Sequence, residues 1–275
     1  LKRGGLLKFA INYSHEAREL IQKGLIDVDI FKCPDFDQQL VKDAQQCKPA
    51  YLHFDLNAGE GTLTTINWSI LESLSAGTDT PFINLHLVAH SKDFPVISNS
   101  SFDSNNIDEI IDRVVKDIQY VVERFGSDRV ILENVVYSGP NGDTLRTIVE
   151  PEIIAHIVYK TKCGLLLDIA HAQMTCYYSG EDVYEYLNRF PLDQLRELHI
   201  TGIQKVDGSY RDSMPMTEED WKLAEWSLNN IKQGMWNEPW VVSFEYGGVG
   251  PIFEWRTAVD VLEQQVPLLN KIVKN

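Results

Sequence analysis

Eight short runs of β-forming apolar residues recur along the chain, each followed by a segment with helical spacing, and this alternation constrains the fold more than any other feature. The runs predict strands over 8–13, 27–33, 50–56, 81–88, 129–135, 164–170, 197–202 and 240–246. Several are continuous, such as Val130-Ile131-Leu132 and Leu165-Leu166-Leu167, which is how parallel strands buried on both faces read. Helices are predicted over 14–23, 37–46, 64–76, 106–125, 150–161, 181–189, 217–232 and 258–274. Within 106–125, Ile110, Ile111, Val114, Val115, Ile118, Val121 and Val122 repeat at helical spacing, and Gly126 follows as a stop. Pro151 falls in a first helical turn, where its missing N–H is tolerated. The pattern predicts an α/β fold, a single (β/α)8 TIM barrel with one domain over 1–275. The alternative is an open doubly wound sheet, but no glycine-rich nucleotide fingerprint follows the first strand, where Asn12-Tyr13 runs straight into Ser14-His15. The polar stretch 91–106 reads as a surface loop over the barrel mouth.

Composition narrows the class. With 44% apolar residues in 275, the chain can bury a large core. No run approaches the roughly 20 apolar residues that span a bilayer, and no secretory signal opens the sequence. Cys33, Cys47, Cys163 and Cys176 lack close spacing and read as reduced thiols of a cytoplasmic protein. Twenty-five basic against 40 acidic residues leave a net charge of −15, which argues against nucleic acid as a partner unless bound cations invert the local field.

The chemistry gathers at the C-terminal strand ends, the face that carries active sites in such barrels. The third predicted strand carries His53, and the fourth His86 with His90 just beyond. The fifth ends in Glu133-Asn134 and the sixth in Asp168-Ile169-Ala170-His171. The seventh carries His199 with Asp212 in the following loop, and the eighth carries Glu245. Five of the seven histidines belong to this series, while His15 and His156 fall in helical segments and read as structural. A lone strand-end histidine is more often a hydrogen-bonded structural residue. Six consecutive strands presenting imidazole or carboxylate at equivalent places instead match the ligand set of Zn²⁺, Fe²⁺ or Mn²⁺. Without a cation such a cluster repels itself or stays protonated. Glu133, Glu245 and His171 are also the candidate catalytic residues. Tyr137, Tyr177, Tyr178, Tyr246, Trp236 and Trp240 read mainly as packing aromatics, and Gly247-Gly248-Val249-Gly250-Pro251 as a turn that could hold an anion.

In this order the residues resemble the metal site of the xylose-isomerase-like TIM-barrel superfamily, in particular its trinuclear members such as endonuclease IV. A longer resemblance runs from Ile131 to Gly202, through ILENVVYSG, GLLLDIAHAQMT, YLNRFPL and ELHITG, and closes on Val-Ser-Phe-Glu245-Tyr. It looks like the DUF692 family of multinuclear non-heme iron-dependent oxidative enzymes, of which this chain would be a divergent member. Two departures stand out: Ala170-His171 where the family carries asparagines, and Asp212-Ser213-Met214 where its pattern is Asp-x-His, so that one ligand is expected to be lost at Met214. The resemblance implies two or three divalent ions per chain, iron first and zinc or manganese after it. It also implies dioxygen as oxidant, a peptide or small-molecule substrate, and a partner protein that delivers the peptide.

The sequence therefore predicts a metal-dependent enzyme, an oxidoreductase first. Metal-assisted phosphoester hydrolysis would use the same ligands. Sugar isomerisation or epimerisation would use Glu133, Asp168, His199 and Glu245, with the two glutamates as acid and base. A non-catalytic binding barrel is the reading that the Met214 departure motivates.

Overall fold

The computed structural model describes residues 7–250 and 256–275. The elements run β1 (Lys8–Asn12), α1 (His15–Gln22), β2 (Ile30–Pro34), α2 (Gln38–Gln45), β3 (Ala50–His53), β4 (Asn57–Ala58), α3 (Trp68–Ala76), β5 (Ile83–Leu87), α4 (Ser104–Phe125) and β6 (Val130–Glu133). They continue with α5 (Arg146–Val149), α6 (Pro151–Thr161), β7 (Gly164–Asp168), α7 (Ile169–Ser179), α8 (Val183–Leu187), β8 (Leu195–Ile200), β9 (Gly202–Val206), β10 (Ser209–Met214), α9 (Glu218–Lys232), β11 (Val241–Phe244) and α10 (Val259–Lys274). Each of the eight predicted strands and eight predicted helices has its counterpart. No described helix is long and apolar enough to cross a membrane.

The chain divides into two compact units: Leu1–His53, Leu71–Thr80 and Arg196–Asn275 form the first, and Phe54–Ile70 and Pro81–Leu195 the second. In the first, five parallel strands lie in the order β3-β2-β1-β11-β8. Phe9, Ala10, Ile11, Val241, Val242 and Phe244 are fully buried there. In the second, β4-β5-β6-β7 are likewise parallel. All residues of β6 and β7 are buried, as their unbroken apolar runs require. Register then sets the chemistry. His86 on β5 stands opposite Glu133 on β6, and Ser243 on β11 opposite His199 on β8.

Helix ends follow the sequence. Asp103 caps α4 through the Asn105 N–H, and Gly126 ends it at φ 83°, a left-handed backbone that glycine adopts without a Cβ clash. Pro151 opens α6 as predicted. Thr217 and Asp220 form a reciprocal capping box at the start of α9.

Three departures from the sequence reading have physical causes. The predicted strand 50–56 ends at His53. The Asn84 side chain then takes both backbone groups of Phe54, accepting from its N–H at 2.7 Å and donating to its carbonyl at 3.0 Å. The predicted strand 164–170 stops at Asp168, whose carboxylate accepts the His171 N–H and starts α7, so His171 sits in a first helical turn rather than on a strand. Helix α7 is nearly buried all round and so has no amphipathic period to read. The loop after β8 is instead the β9–β10 hairpin, turned by Asp207-Gly208 at positive φ, and Asp212 is a strand residue within it. The stretch from 91 to the start of α4 is a loop, as its sequence reads, pinned where Asn99 donates to the Gly142 and Thr144 carbonyls.

Candidate metal centre

The second unit assembles Glu133, Asp168, His171 and His86. Glu133 closes β6 and Asp168 closes β7, and both are almost wholly buried, at 2% and 0% exposure. Because Asp168 is also the N-cap of α7, the strand-to-helix turn brings His171 back over it, with His171 Nε2 3.7 Å from Asp168 Oδ2. His171 Nδ1 lies 2.8 Å from the Asn134 carbonyl, which can only accept, so Nδ1 carries the proton and Nε2 keeps its lone pair. A backbone acceptor on one imidazole nitrogen is the usual device for aiming the other at a metal. Asn134 also clamps the end of β7 in both directions: its Oδ1 accepts the Asp168 N–H and its Nδ2 donates to the Asp168 carbonyl, each at 2.9 Å.

One ligand atom each from Glu133, Asp168 and His171 lies within 4.8 Å of the others. Two buried carboxylates at that spacing oppose each other unless a cation or proton intervenes, so the donor set fits a divalent ion. His86 Nε2 approaches Glu133 Oε2 at 3.2 Å. Burial works to depress the His86 imidazole, but the charge and hydrogen bond of Glu133 outweigh it, and its pKa is raised above the ordinary value. His90, the neighbouring candidate, pairs with Glu60 at 3.5 Å and bridges to Thr144 through its backbone. Between the two, it is His86 that meets Glu133.

The first unit assembles His53, His199 and Glu245, whose ligand atoms also lie within 4.8 Å of one another. His53 ends β3, and its ring centroid is 5.3 Å from that of His199 on β8. The cluster contains three residues that sequence reasoning passed over. Lys32 on β2, only 7% exposed, places its ammonium against Glu245 Oε1. Glu197, two residues before His199 and so on the same face of β8, accepts from His199 Nε2 at 2.9 Å. Tyr51 on β3 donates to the same Glu197 oxygen at 2.8 Å, and burial followed by the Glu197 charge pushes its phenol well above the ordinary range. His199 Nδ1 lies 3.0 Å from Glu245 Oε1, so both ring nitrogens face carboxylates. A lysine inside the apolar run Ile30-Phe31-Lys32-Cys33 was the signal, since a strand-interior ammonium must find a buried anion.

Asp212 lies with Arg256, which donates to its carbonyl at 2.9 Å and stands 3.8 Å from its carboxylate. Met214 ends β10 and is buried, paired with Gly202 across an irregular stretch of the hairpin. Among the described residues neither Asp212 nor His90 joins a three-ligand group.

The remaining candidates have structural surroundings. All four cysteines are free, and burial raises the thiols of Cys33 and Cys176 to about 12 and that of Cys163 to about 11. His15 and His156 lie in α1 and α6. Tyr137, Tyr246 and Trp236 are buried, while Tyr177 is exposed. In the glycine-rich turn, the Gly248 N–H donates to Thr257; Pro251 lies outside the described residues.

Comparison with known proteins gives this geometry a context. A family model described as "RiPP precursor modification enzyme MbnB/TglH/ChrH" matches residues 101–236, just under half of the chain. A UPF0276 protein of Acinetobacter baylyi is 26% identical over 120 residues, 40% of each chain. Another from Vibrio parahaemolyticus is 34% identical over 85 residues, 29% of this chain and 30% of the relative. The matches thus span well under half the length of these relatives. A protein of Thermosipho melanesiensis described as a probable endonuclease 4 is 23% identical over 230 residues, 78% of this chain and 75% of its own. Among solved structures, a D-psicose 3-epimerase matches with a TM-score of 0.57 at 13% identity, over 96% of this chain and 97% of its own. The 3-keto-D-glucoside 4-epimerase of E. coli matches with a TM-score of 0.58 at 13% identity, over 96% and 100%. At such identities these structures speak for the fold alone, a xylose-isomerase-like (β/α)8 TIM barrel. The chain is thus similar, over residues 101–236, to the RiPP precursor modification enzymes and to UPF0276 proteins, on a fold that is a xylose-isomerase-like TIM barrel.

Proposed function

We propose that this chain is a metal-dependent enzyme that oxidatively modifies a peptide substrate, with iron as its metal. The observation that carries the reading is the triad of buried Glu133 and Asp168 with half-buried His171, whose ligand atoms converge within 4.8 Å. Support for a peptide substrate comes from the family match over 101–236. A partner protein that presents the peptide belongs to the same reading. The net charge of −15 weighs against the nucleic-acid substrate that the endonuclease 4 likeness would otherwise suggest.

Glu133 and Asp168 would hold the ion through carboxylate oxygens, and His171 through the Nε2 that its Asn134 contact leaves available. His86 adds an imidazole beside Glu133. When bound, iron in an imidazole and carboxylate set keeps open positions for dioxygen and a substrate donor atom. The chain's own contribution is to keep the site dry and its ligands pre-aimed. Asn134 holds the end of β7, and the Asp168 cap fixes where α7 begins.

Protein purified without oxygen, with metals measured by elemental analysis and its optical spectrum recorded before and after air, tests this reading. Iron with an oxygen-sensitive spectrum in the wild type, absent from Glu133→Gln, is the expected result. Zinc or manganese with no response to air would overturn the oxidative reading, and no bound metal would overturn the enzyme reading itself.

A further inference from the structure

The geometry points to Lys32 as the resident cation of the first unit: we propose that its ammonium fills the place that a metal ion would take among His53, His199 and Glu245. The proposal rests on reading the chain as a metal enzyme, and it divides the two ligand sets by what balances their charge. Two observations, both within that unit, carry it.

The first is the pairing itself. Lys32 is a buried lysine inside a parallel strand, and its Nζ rests on the Glu245 oxygen that would otherwise face an ion. A divalent ion bound to that oxygen would sit beside a buried ammonium, like charge against like charge in a poorly solvated place. The second is His199. Its ring lies between Glu197 at 2.9 Å and Glu245 at 3.0 Å, so neither nitrogen is offered to a metal without parting from a carboxylate. Glu245 is thus held by Lys32, and His199 by two carboxylates.

The test counts ions with manganese(II), which needs no oxygen-free handling of a redox step. Wild type and variants are loaded with excess Mn²⁺, gel-filtered, and read by elemental analysis and by electron paramagnetic resonance. Lys32→Met is expected to bind one more Mn²⁺ per chain than wild type. Lys32→Arg should keep the wild-type count, and Lys32→Met with Glu245→Gln should lose the gain. Glu245→Gln alone, with Lys32 present, should also keep the wild-type count, and this arm decides if Lys32→Met does not fold. Loss of an ion in Glu245→Gln, or no gain in a folded Lys32→Met, overturns the proposal. The outcomes separate the two readings. A metal-free wild type whose Lys32→Met variant takes up one ion supports the role of Lys32 and removes the enzyme reading. A manganese-loaded wild type with no gain in the variant does the reverse.

Discussion

The two ligand sets are built from the same side chains and solve the same electrostatic difficulty in different ways. In the second unit Glu133, Asp168 and His171 bring two carboxylates and an imidazole within 4.8 Å, with the His86 imidazole beside Glu133. In the first, Glu197 and Glu245 flank His199, and Lys32 supplies a cation from within the chain. A strand-end carboxylate is therefore not a metal ligand by type alone. What decides is the charge that the rest of the fold brings to it, because a buried carboxylate must be paired, protonated or metal-bound.

The difference predicts opposite responses to neutralising one partner. Lys32→Met strips the ammonium from a buried carboxylate, and breaking such a pair is expected to cost about 3 kcal/mol of stability. Adding Glu245→Gln should restore most of the loss, as a double-mutant cycle in calorimetric unfolding would read. Asp168→Asn removes one of two closely spaced carboxylate charges while keeping an oxygen to cap α7. Metal-free protein should gain about 1 kcal/mol, as active-site substitutions often do, yet lose its metal. Equal destabilisation by both substitutions would erase the distinction between the units. Asp168→Ala should bind metal no better than Asp168→Asn and be less stable by about 1 kcal/mol, the worth of a helix cap.

A smaller effect is expected one shell out. Asn134 touches Asp168 through both ends of its amide and His171 through its carbonyl. Asn134→Ala deletes the amide and leaves the carbonyl, so metal affinity should fall by roughly 10- to 100-fold rather than vanish. A manganese titration of the variant beside Asp168→Asn ranks the two. An unchanged affinity would mean that the amide serves the turn and not the ligands.

Much of this was readable in the amino-acid order because it rests on local patterns. Continuous apolar runs such as Leu165-Leu166-Leu167 mark strands buried on both faces, and the stripe from Ile110 to Val122 marks α4. Glu133 and Asp168 stand where strands end, and the Asp-x-x-His spacing puts His171 one turn beyond, which makes the three legible as a set. What escaped was relational. Helix α7 lacks a polar face to betray its period. Choosing between His86 and His90 required the β5–β6 register that sets His86 opposite Glu133. Lys32 looked like one strand residue among several, since its partner Glu245 lies more than 200 residues away in the chain. Asp212 reads as a loop residue in the sequence, and it is the Asp207-Gly208 turn that makes the segment a hairpin.

The subtlest contrast lies in pH dependence. His86 in the second unit is half-buried, and its loss of solvation by itself favours the neutral ring, but the adjacent Glu133 charge wins and raises its pKa. A histidine whose pKa is raised on folding stabilises the protein fully below its unfolded value of about 6.5. That contribution is lost as pH climbs through the higher folded value. Metal-free wild type should therefore lose stability from just below neutrality upward, and His86→Gln should flatten that slope, as thermal unfolding across the range would record. With Mn²⁺ bound the sign should reverse over the same window, because the ion competes with the protonated His86 for Glu133 and its affinity rises as His86 loses its proton. If the slopes with and without metal were the same, Glu133 would belong to His86 as Glu245 belongs to Lys32, and the two units would differ only in which cationic side chain they use.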